Sequence, residues 1–93
     1  MSDKSGFVWV FIAEGATFPC GVFSSHSDAE SAIHARSLTG VLTEYPIGAL
    51  TYDFAVDAGW FEAAEKFETN PRRIGKFTSQ HQRHFHYENG RPR

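Results

Sequence analysis

The 93-residue sequence predicts an α+β fold, a small and mainly antiparallel sheet of about five strands with two helices in the order β-β-α-β-α-β-β. Three observations predict it. Residues 7–13 are apolar at every position, residues 27–37 combine a capping signal with an alanine-rich stripe, and residues 84–88 alternate between polar and aromatic side chains. A single sequence leaves the order of the strands within the sheet open.

The first two strands are expected in the N-terminal quarter of the chain. The alternating positions of residues 7–13 are apolar on both sides: Phe7, Trp9 and Phe11 on one, Val8, Val10 and Ile12 on the other. This pattern is typical of a strand in the interior of a sheet. A loop at residues 14–17 leads to a return strand from Phe18, and Pro19 and Gly21 predict that this strand is irregular or bulged. The single cysteine, Cys20, is expected to be a small apolar residue of that strand.

A first helix is predicted over about residues 28–37. Ser27 and Glu30 have the spacing of a capping box, and Ala29, Ala32 and Ile33 form a narrow apolar stripe. Gly40 is placed to end the helix or the turn after it. Residues 41–46 then predict a third strand that stops at a proline.

The C-terminal half supplies a second helix and two more strands. Residues 50–58 fit both helical and strand periodicity, and alanines, a Thr51 cap and a terminating Gly59 favour the helix. The segments RIGKFTS, residues 73–79, and HFHYE, residues 84–88, are predicted as strands. In the second of them Phe85 and Tyr87 are expected to point into the core.

Length and composition predict one domain over residues 1–93, with residues 1–6 and 90–93 as flexible ends. One cysteine excludes an intrachain disulfide and a multi-cysteine zinc site. The N-terminus lacks the pattern of a secretory signal, and the longest apolar run, residues 7–13, is too short to cross a bilayer. A soluble, cytoplasmic protein without a cofactor is therefore expected, with no role at a membrane.

Four segments give the sequence a resemblance to a known group of proteins. They are GVFSSHSDAESAI, LTGVLTEYPIG, YDFAVDAGWF and the terminal HYENG. Their progression resembles that of a family of small bacterial proteins of unknown function, over about residues 7–90. The resemblance implies a stand-alone domain and assigns no activity and no functional residue.

The C-terminal histidines raise the question of a metal site. His84, His86 and Glu88 share one face of the predicted strand, and His81 lies close by in sequence. Imidazoles at alternate strand positions can converge on a transition metal. The simpler interpretation is an edge strand whose polar face carries His and Glu, which also discourages edge pairing. We therefore expect no metal and keep His81, His84 and His86 as the alternative.

Catalytic signals are weak. Asp53 and Asp57 lie four residues apart on one helical face, and with Glu44 they are the candidates for acid–base chemistry. No glycine-rich phosphate loop, nucleophile elbow or Walker-type lysine is present in the sequence. The sequence predicts that the protein is not an enzyme.

Charge is divided unevenly along the chain. Residues 1–65 carry two basic and nine acidic residues, whereas residues 66–93 carry seven basic and two acidic ones. The two parts either neutralise each other, within the fold or across a homodimer, or present faces of opposite charge to partners. The acidic part favours binding to another protein, in the manner of immunity-type inhibitors that cover a basic bacterial toxin with carboxylates. The expected partner-binding residues are Asp28, Glu30, Glu44, Asp53, Asp57 and Trp60.

The alternative class is a regulator that binds nucleic acid or metal through the C-terminal strands. Basic residues interleaved with rings resemble the surface that binds single-stranded nucleic acid. The candidate residues are Arg72, Arg73, Lys76 and Arg83. Nucleic acid remains the less favoured partner, because the net charge of the chain is −2.

Overall fold

The computed structural model describes residues 6–59, 71–76 and 82–93. The chain forms two compact units: Met1–Ile47 with Gln82–Arg93, and Gly48–His81. The described residues of the first unit form a five-stranded antiparallel sheet and a helix, and those of the second form two short helices. The predicted α+β class and element order are confirmed, with one additional helix among the described residues.

The first unit consists of five strands and one helix. They are β1 (Phe7–Ala13), β2 (Gly21–Phe23), α1 (His26–Ala35), β3 (Gly40–Pro46), β4 (His84–Glu88) and β5 (Arg91–Pro92). The sheet order is β2-β1-β3-β4-β5, and all neighbours are antiparallel. Because β2 and β3 both run antiparallel to β1, they are parallel to each other and α1 crosses over β1 to connect them. The prediction that residues 7–13 form an interior strand is confirmed.

The core of the first unit lies between α1 and one face of the sheet. Its buried side chains are Trp9, Phe11, Ala29, Ile33, Leu42 and Tyr87. Phe11 and Leu42 are paired in register between β1 and β3, and Ala29 and Ile33 are four residues apart on α1, so their side chains stack over those strands. Gly40 allows β3 to approach β1 closely, because a Cβ at this position would lie 2.8 Å from the Cα of Ala13. The helix ends at Ala35, so of the two predicted roles for Gly40 the end of the helix is wrong, and Gly40 instead begins β3 after the turn that follows α1.

Helix α1 begins and ends earlier than predicted. Ser25 is the N-cap, with an extended backbone (φ −140°, ψ 153°), and its Oγ accepts a hydrogen bond of 3.1 Å from the backbone N–H of Asp28. Ser25 and Asp28 repeat the spacing of Ser27 and Glu30, so the sequence offered two caps one half-turn apart. The helix ends at Ala35, and Ser37 then adopts a left-handed backbone (φ 55°).

The second unit contains α2 (Thr51–Asp57) and α3 (Pro71–Lys76). The helical interpretation of residues 51–57 is confirmed, and Gly59 (φ 77°) follows its C-cap as predicted, but the N-cap is Leu50 and no side chain caps the helix. The strand predicted for RIGKFTS is wrong over residues 73–76, which lie in α3. Proline is favoured in the first turn of a helix, which explains why α3 begins at Pro71. Residues 77–79 of that prediction lie outside the described residues.

The last strand pair is a hairpin with a two-residue turn. Asn89 (φ 53°) and Gly90 (φ 84°) both have positive φ, as a type I′ turn requires. Tyr87 pairs with Pro92 and Glu88 with Arg91. Across residues 6–59, 71–76 and 82–93, no helix has the length and apolarity needed to cross a membrane.

Candidate functional site

Among the described residues of the first unit, the large apolar side chains with the greatest exposure lie at the β2 end of the sheet. Phe18 is 77% exposed and Val22 is 63% exposed. Cys20, between them, is also exposed and precedes β2, so the expectation that it lies within the strand is wrong. We call Phe18, Cys20 and Val22 the β2 edge surface. Among the described strands β2 has β1 as its single neighbour.

The two ends of the sheet differ in chemistry. Residues 17–25 around β2 contain no charged side chain, whereas β5 at the other end consists of Arg91 and Pro92. Charges and proline are common devices that prevent an edge strand from pairing with another chain. The β5 end has both devices. The β2 end has Pro19 and a short strand, but its exposed side chains are uncharged and include the large apolar ones of Phe18 and Val22.

The sheet face opposite α1 changes from apolar to basic across the strands. One row in register contains Val22, Val10, Thr43 and His84, and the next contains Ile12, Val41 and His86. A depression of about 370 Å³ lies at the end of the second row, with Ile12, Val41, Thr43, His86 and Arg93 among its lining residues. The backbone N–H of Arg93 donates to the carbonyl oxygen of His86 over 2.9 Å, which holds the chain end beside this depression.

His84 and His86 project from this face and are exposed. Their ring centroids are 5.4 Å apart and the rings are inclined by 82°. Nδ1 of His84 lies 2.8 Å from the carbonyl oxygen of Gln82, so Nδ1–H is the donor. The third predicted metal ligand, His81, lies outside the described residues. Within the described part of the chain, no three His, Cys, Asp or Glu side chains group closely enough to hold a metal ion.

The α1 side of the sheet carries a cluster of rings around Trp9. The His26 ring lies edge-on to Trp9 with 5.0 Å between centroids, and its centroid is 4.7 Å from that of Phe85. The Arg83 guanidinium lies 5.5 Å from the centre of the Trp9 ring, in the range of a cation–π contact. As predicted, Tyr87 is buried, whereas Phe85 on the same face remains 38% exposed at the margin of the core.

Tyr87 joins α1 to the sheet through its hydroxyl group. The hydroxyl donates to Oε2 of Glu30 over 3.0 Å and lies 3.4 Å from Nε2 of His26. Because the single hydroxyl proton goes to Glu30, Nε2–H of His26 is the donor in the second contact. Burial, together with the hydrogen bond to Glu30 and the charge of Glu30, raises the pKa of Tyr87 to about 12. Tyr87 is therefore a neutral donor in the folded protein.

The residues predicted to bind a partner fall into three groups. Asp28 is exposed on the first turn of α1, and Asp53 and Asp57 are exposed on α2 in the second unit. Glu30 accepts the hydrogen bond from Tyr87, and the Glu44 side chain is 18% exposed with its carboxylate 4.0 Å from Arg83, so both interact within the first unit. Trp60 lies outside the described residues. The acid–base candidates are likewise divided, with Glu44 in the first unit and Asp53 and Asp57 in the second.

The basic residues proposed for nucleic acid are also distributed over both units. Arg83 interacts with Trp9 and Glu44 in the first unit. Arg72 is exposed on α3 in the second unit. For Arg73 and Lys76 the structure describes the backbone alone.

Sequence reasoning missed Phe18 and Val22 as candidate functional residues. Both were assigned to a return strand, in which apolar side chains are ordinary. The available signal was the uncharged run of residues 17–25, which is unusual beside a sheet edge that faces solvent.

Comparison with known proteins identifies the family without assigning an activity. Residues 8–93 match the family described as domain of unknown function DUF7710, and the chain belongs to this family. No curated protein and no solved structure matches the chain. The resemblance to a family of small domains of unknown function is confirmed.

Proposed function

We propose that this member of the DUF7710 family binds another protein through its β2 edge surface. The observation that carries the proposal is the exposure of Phe18 and Val22 beside an uncharged sheet edge. Large apolar side chains exposed together are a feature of interaction sites, because leaving them in water costs free energy that a partner would recover. Aromatic residues such as Phe18 are also enriched at the centres of protein interfaces.

The chemistry of the edge indicates what kind of partner segment fits it. A terminal strand offers backbone N–H and C=O groups to an added strand, and alternate side chains of that strand would pack on Phe18 and Val22. The β2 edge surface carries no charge to pair with, so the segment that fits it is itself apolar. The partner is therefore a protein with an extended apolar segment that adds to the sheet beside β2.

Immunity-type neutralisation of a basic bacterial toxin is the more specific form of this proposal. The carboxylates that support it are the exposed ones of Asp28, Asp53 and Asp57. Glu30 and Glu44 contribute less, because their carboxylates already interact with Tyr87 and Arg83. A toxin gene beside the gene for this chain, and protection of cells that express both, would support this form. Toxicity that is unchanged by co-expression would contradict it.

The β2 edge surface is tested by paired aspartate substitutions. F18D and V22D place a charge in the proposed interface, and S31D places the same charge at an exposed position of α1 as a matched control. The tag-free chain is crosslinked in its native cells, the captured protein is purified, and its affinity for each variant is measured by titration. F18D and V22D are expected to weaken binding about tenfold or more, as loss of an apolar anchor does, while S31D leaves it unchanged.

Two results would refute the proposal that the β2 edge surface binds the partner. One is a partner that binds F18D and V22D as tightly as the wild type. The other is a crosslinking map in which residues 17–28 make no contact. Circular dichroism of each variant shows that the fold is retained, so that lost binding is not lost structure. A second copy of this chain as the partner would appear in size-exclusion chromatography as a dimer that F18D dissociates and S31D does not.

A further inference from the structure

We propose that His84 and His86 bind a divalent transition-metal ion as a two-imidazole chelate on the surface of β4. This inference goes beyond protein binding at the β2 edge surface, since it concerns different residues, three strands away across the sheet. The ligand class is a borderline metal ion that prefers imidazole nitrogen, such as Cu²⁺, Ni²⁺ or Zn²⁺.

The spacing of the two rings suits a shared ion. His84 and His86 are separated by one residue on a strand, so they project from the same face, and their centroids are 5.4 Å apart. Two imidazoles that each bind one ion at about 2.0–2.1 Å in tetrahedral geometry hold their ring centres roughly 5 Å apart. The observed separation is close to this value. Both side chains are exposed, so rotation of the His86 ring about its side-chain bonds can direct one of its nitrogens at an ion bound to Nε2 of His84.

A backbone hydrogen bond prepares His84 to act as a ligand. Nδ1–H of His84 donates to the carbonyl oxygen of Gln82 over 2.8 Å. In the neutral ring the proton is then on Nδ1, and the lone pair of Nε2 is available to a metal. Metal-binding histidines commonly donate their second ring N–H to a carbonyl or carboxylate in this way, which fixes the orientation of the ring. Gln82 is itself anchored, because its Nε2 donates to the backbone carbonyl of Glu44.

The surroundings leave the remaining coordination positions accessible. Thr43 lies opposite His84 in register on β3, and the depression of about 370 Å³ borders His86. Glu88 shares the face of the histidines, but its Oε1 lies 3.7 Å from Nε of Arg93. Water or a group from a bound molecule would therefore complete the coordination of the ion.

The test is metal titration of the tag-free full chain at neutral pH. Isothermal titration with CuCl₂, NiCl₂ and ZnCl₂ is expected to give one ion per chain, with Cu²⁺ bound most tightly. H84N and H86N are each expected to weaken binding about tenfold or more, because one imidazole cannot chelate. H34N removes an exposed histidine of α1 and is the matched control, which keeps wild-type affinity.

A spectroscopic signature separates a chelate from scattered binding. Electron paramagnetic resonance of the Cu²⁺ complex is expected to show two equivalent nitrogen ligands in the wild type and one in H84N. Wild-type affinity in either H84N or H86N would overturn the proposal, and so would a single coupled nitrogen in the wild type. Circular dichroism of these variants confirms that the strand is intact. Binding of the protein partner is measured in parallel, so that failure of the metal site and failure of the β2 edge surface are told apart.

Discussion

Removing one hydroxyl group from the core should measurably destabilise the first unit. Tyr87→Phe keeps the buried ring and removes the donor to Oε2 of Glu30, a contact of 3.0 Å. A hydrogen bond to a charged group contributes about 1.5–3 kcal/mol. Glu30 is half-buried, so water replaces part of the loss and the lower end of that range applies. For a chain of this size, a loss of about 1.5 kcal/mol lowers the melting temperature by roughly 6–12 °C.

The pH dependence of this stabilisation follows from the raised pKa of Tyr87. Burial first, and then the hydrogen bond and charge of Glu30, raise this pKa to about 12, above the value of about 10 for an unfolded tyrosine. A raised pKa means that folding favours the protonated form. The stabilisation is therefore complete below about pH 10 and is lost as the pH rises through 12. The difference in unfolding free energy between wild type and Y87F should be constant from about pH 7 to 9 and should shrink above about pH 10.

Urea denaturation followed by circular dichroism measures the difference. Tyr45→Phe is the matched control, because Tyr45 lies half-buried on β3 and its hydroxyl has no hydrogen-bond partner among the described residues. Y45F should stay within about 0.5 kcal/mol of wild type. A double-mutant cycle of Y87F with Glu30→Ala should give a coupling energy above about 0.5 kcal/mol. Equal stability of Y87F and wild type, or strict additivity in the cycle, would refute the assigned hydrogen bond.

Two further substitutions test the local geometry by the same denaturation assay. Gly40→Ala should cost about 2 kcal/mol or more, since the new methyl group would press on the backbone carbonyl of Ile12; a loss below about 0.5 kcal/mol would contradict the close approach of the strands. Ser25→Ala should cost about 1 kcal/mol, because it removes the side chain that accepts from the backbone N–H of Asp28, whereas Ser27→Ala should change the stability little. A larger loss for Ser27→Ala than for Ser25→Ala would instead support the capping box predicted from the sequence.

Periodicity predicted the elements that have a single consistent pattern. Residues 7–13 are apolar in both alternating sets, and Ala29 and Ile33 repeat at helical spacing, so β1 and the buried face of α1 could be read directly. The first residue of α1 could not be predicted in this way, because Ser25 and Ser27 are each followed three residues later by an acidic residue. Ser25 is the cap in the structure, and this start brings His26 to the ring of Trp9.

In the short segments, proline and turn-forming residues determine the structure more than strand propensity does. Residues 73–76 have no strand partner that the sequence could reveal, and Pro71 begins a helix there instead. Asn89-Gly90 is a strong hairpin signal, but only three residues follow it, too few to show an alternating pattern. The last strand was therefore missed at its actual position.

The candidate site depends on which residues the fold leaves exposed, and composition does not supply that information. The acidic residues predicted as one surface are divided between internal contacts and solvent. Helix α1 crosses over β1, and Tyr87 lies on β4, two strands from β1 in the sheet. The hydrogen bond between Glu30 and Tyr87 could therefore be predicted only if the order of the strands were known. Phe18 could not be distinguished from a core aromatic until the strand was seen to begin at Gly21.

Because β4 lies late in the sequence, the first unit cannot complete its core early in synthesis on the ribosome. Trp9, Phe11 and Leu42 emerge early, yet the core they form includes Tyr87. Until residues 82–93 have left the exit tunnel, these three side chains lie against an incomplete sheet whose β3 edge is unpaired. Nascent chains stalled before residue 82 should therefore be bound by chaperones and cut readily by protease. Once β4 has left the tunnel, chaperone binding and protease cleavage should both decrease.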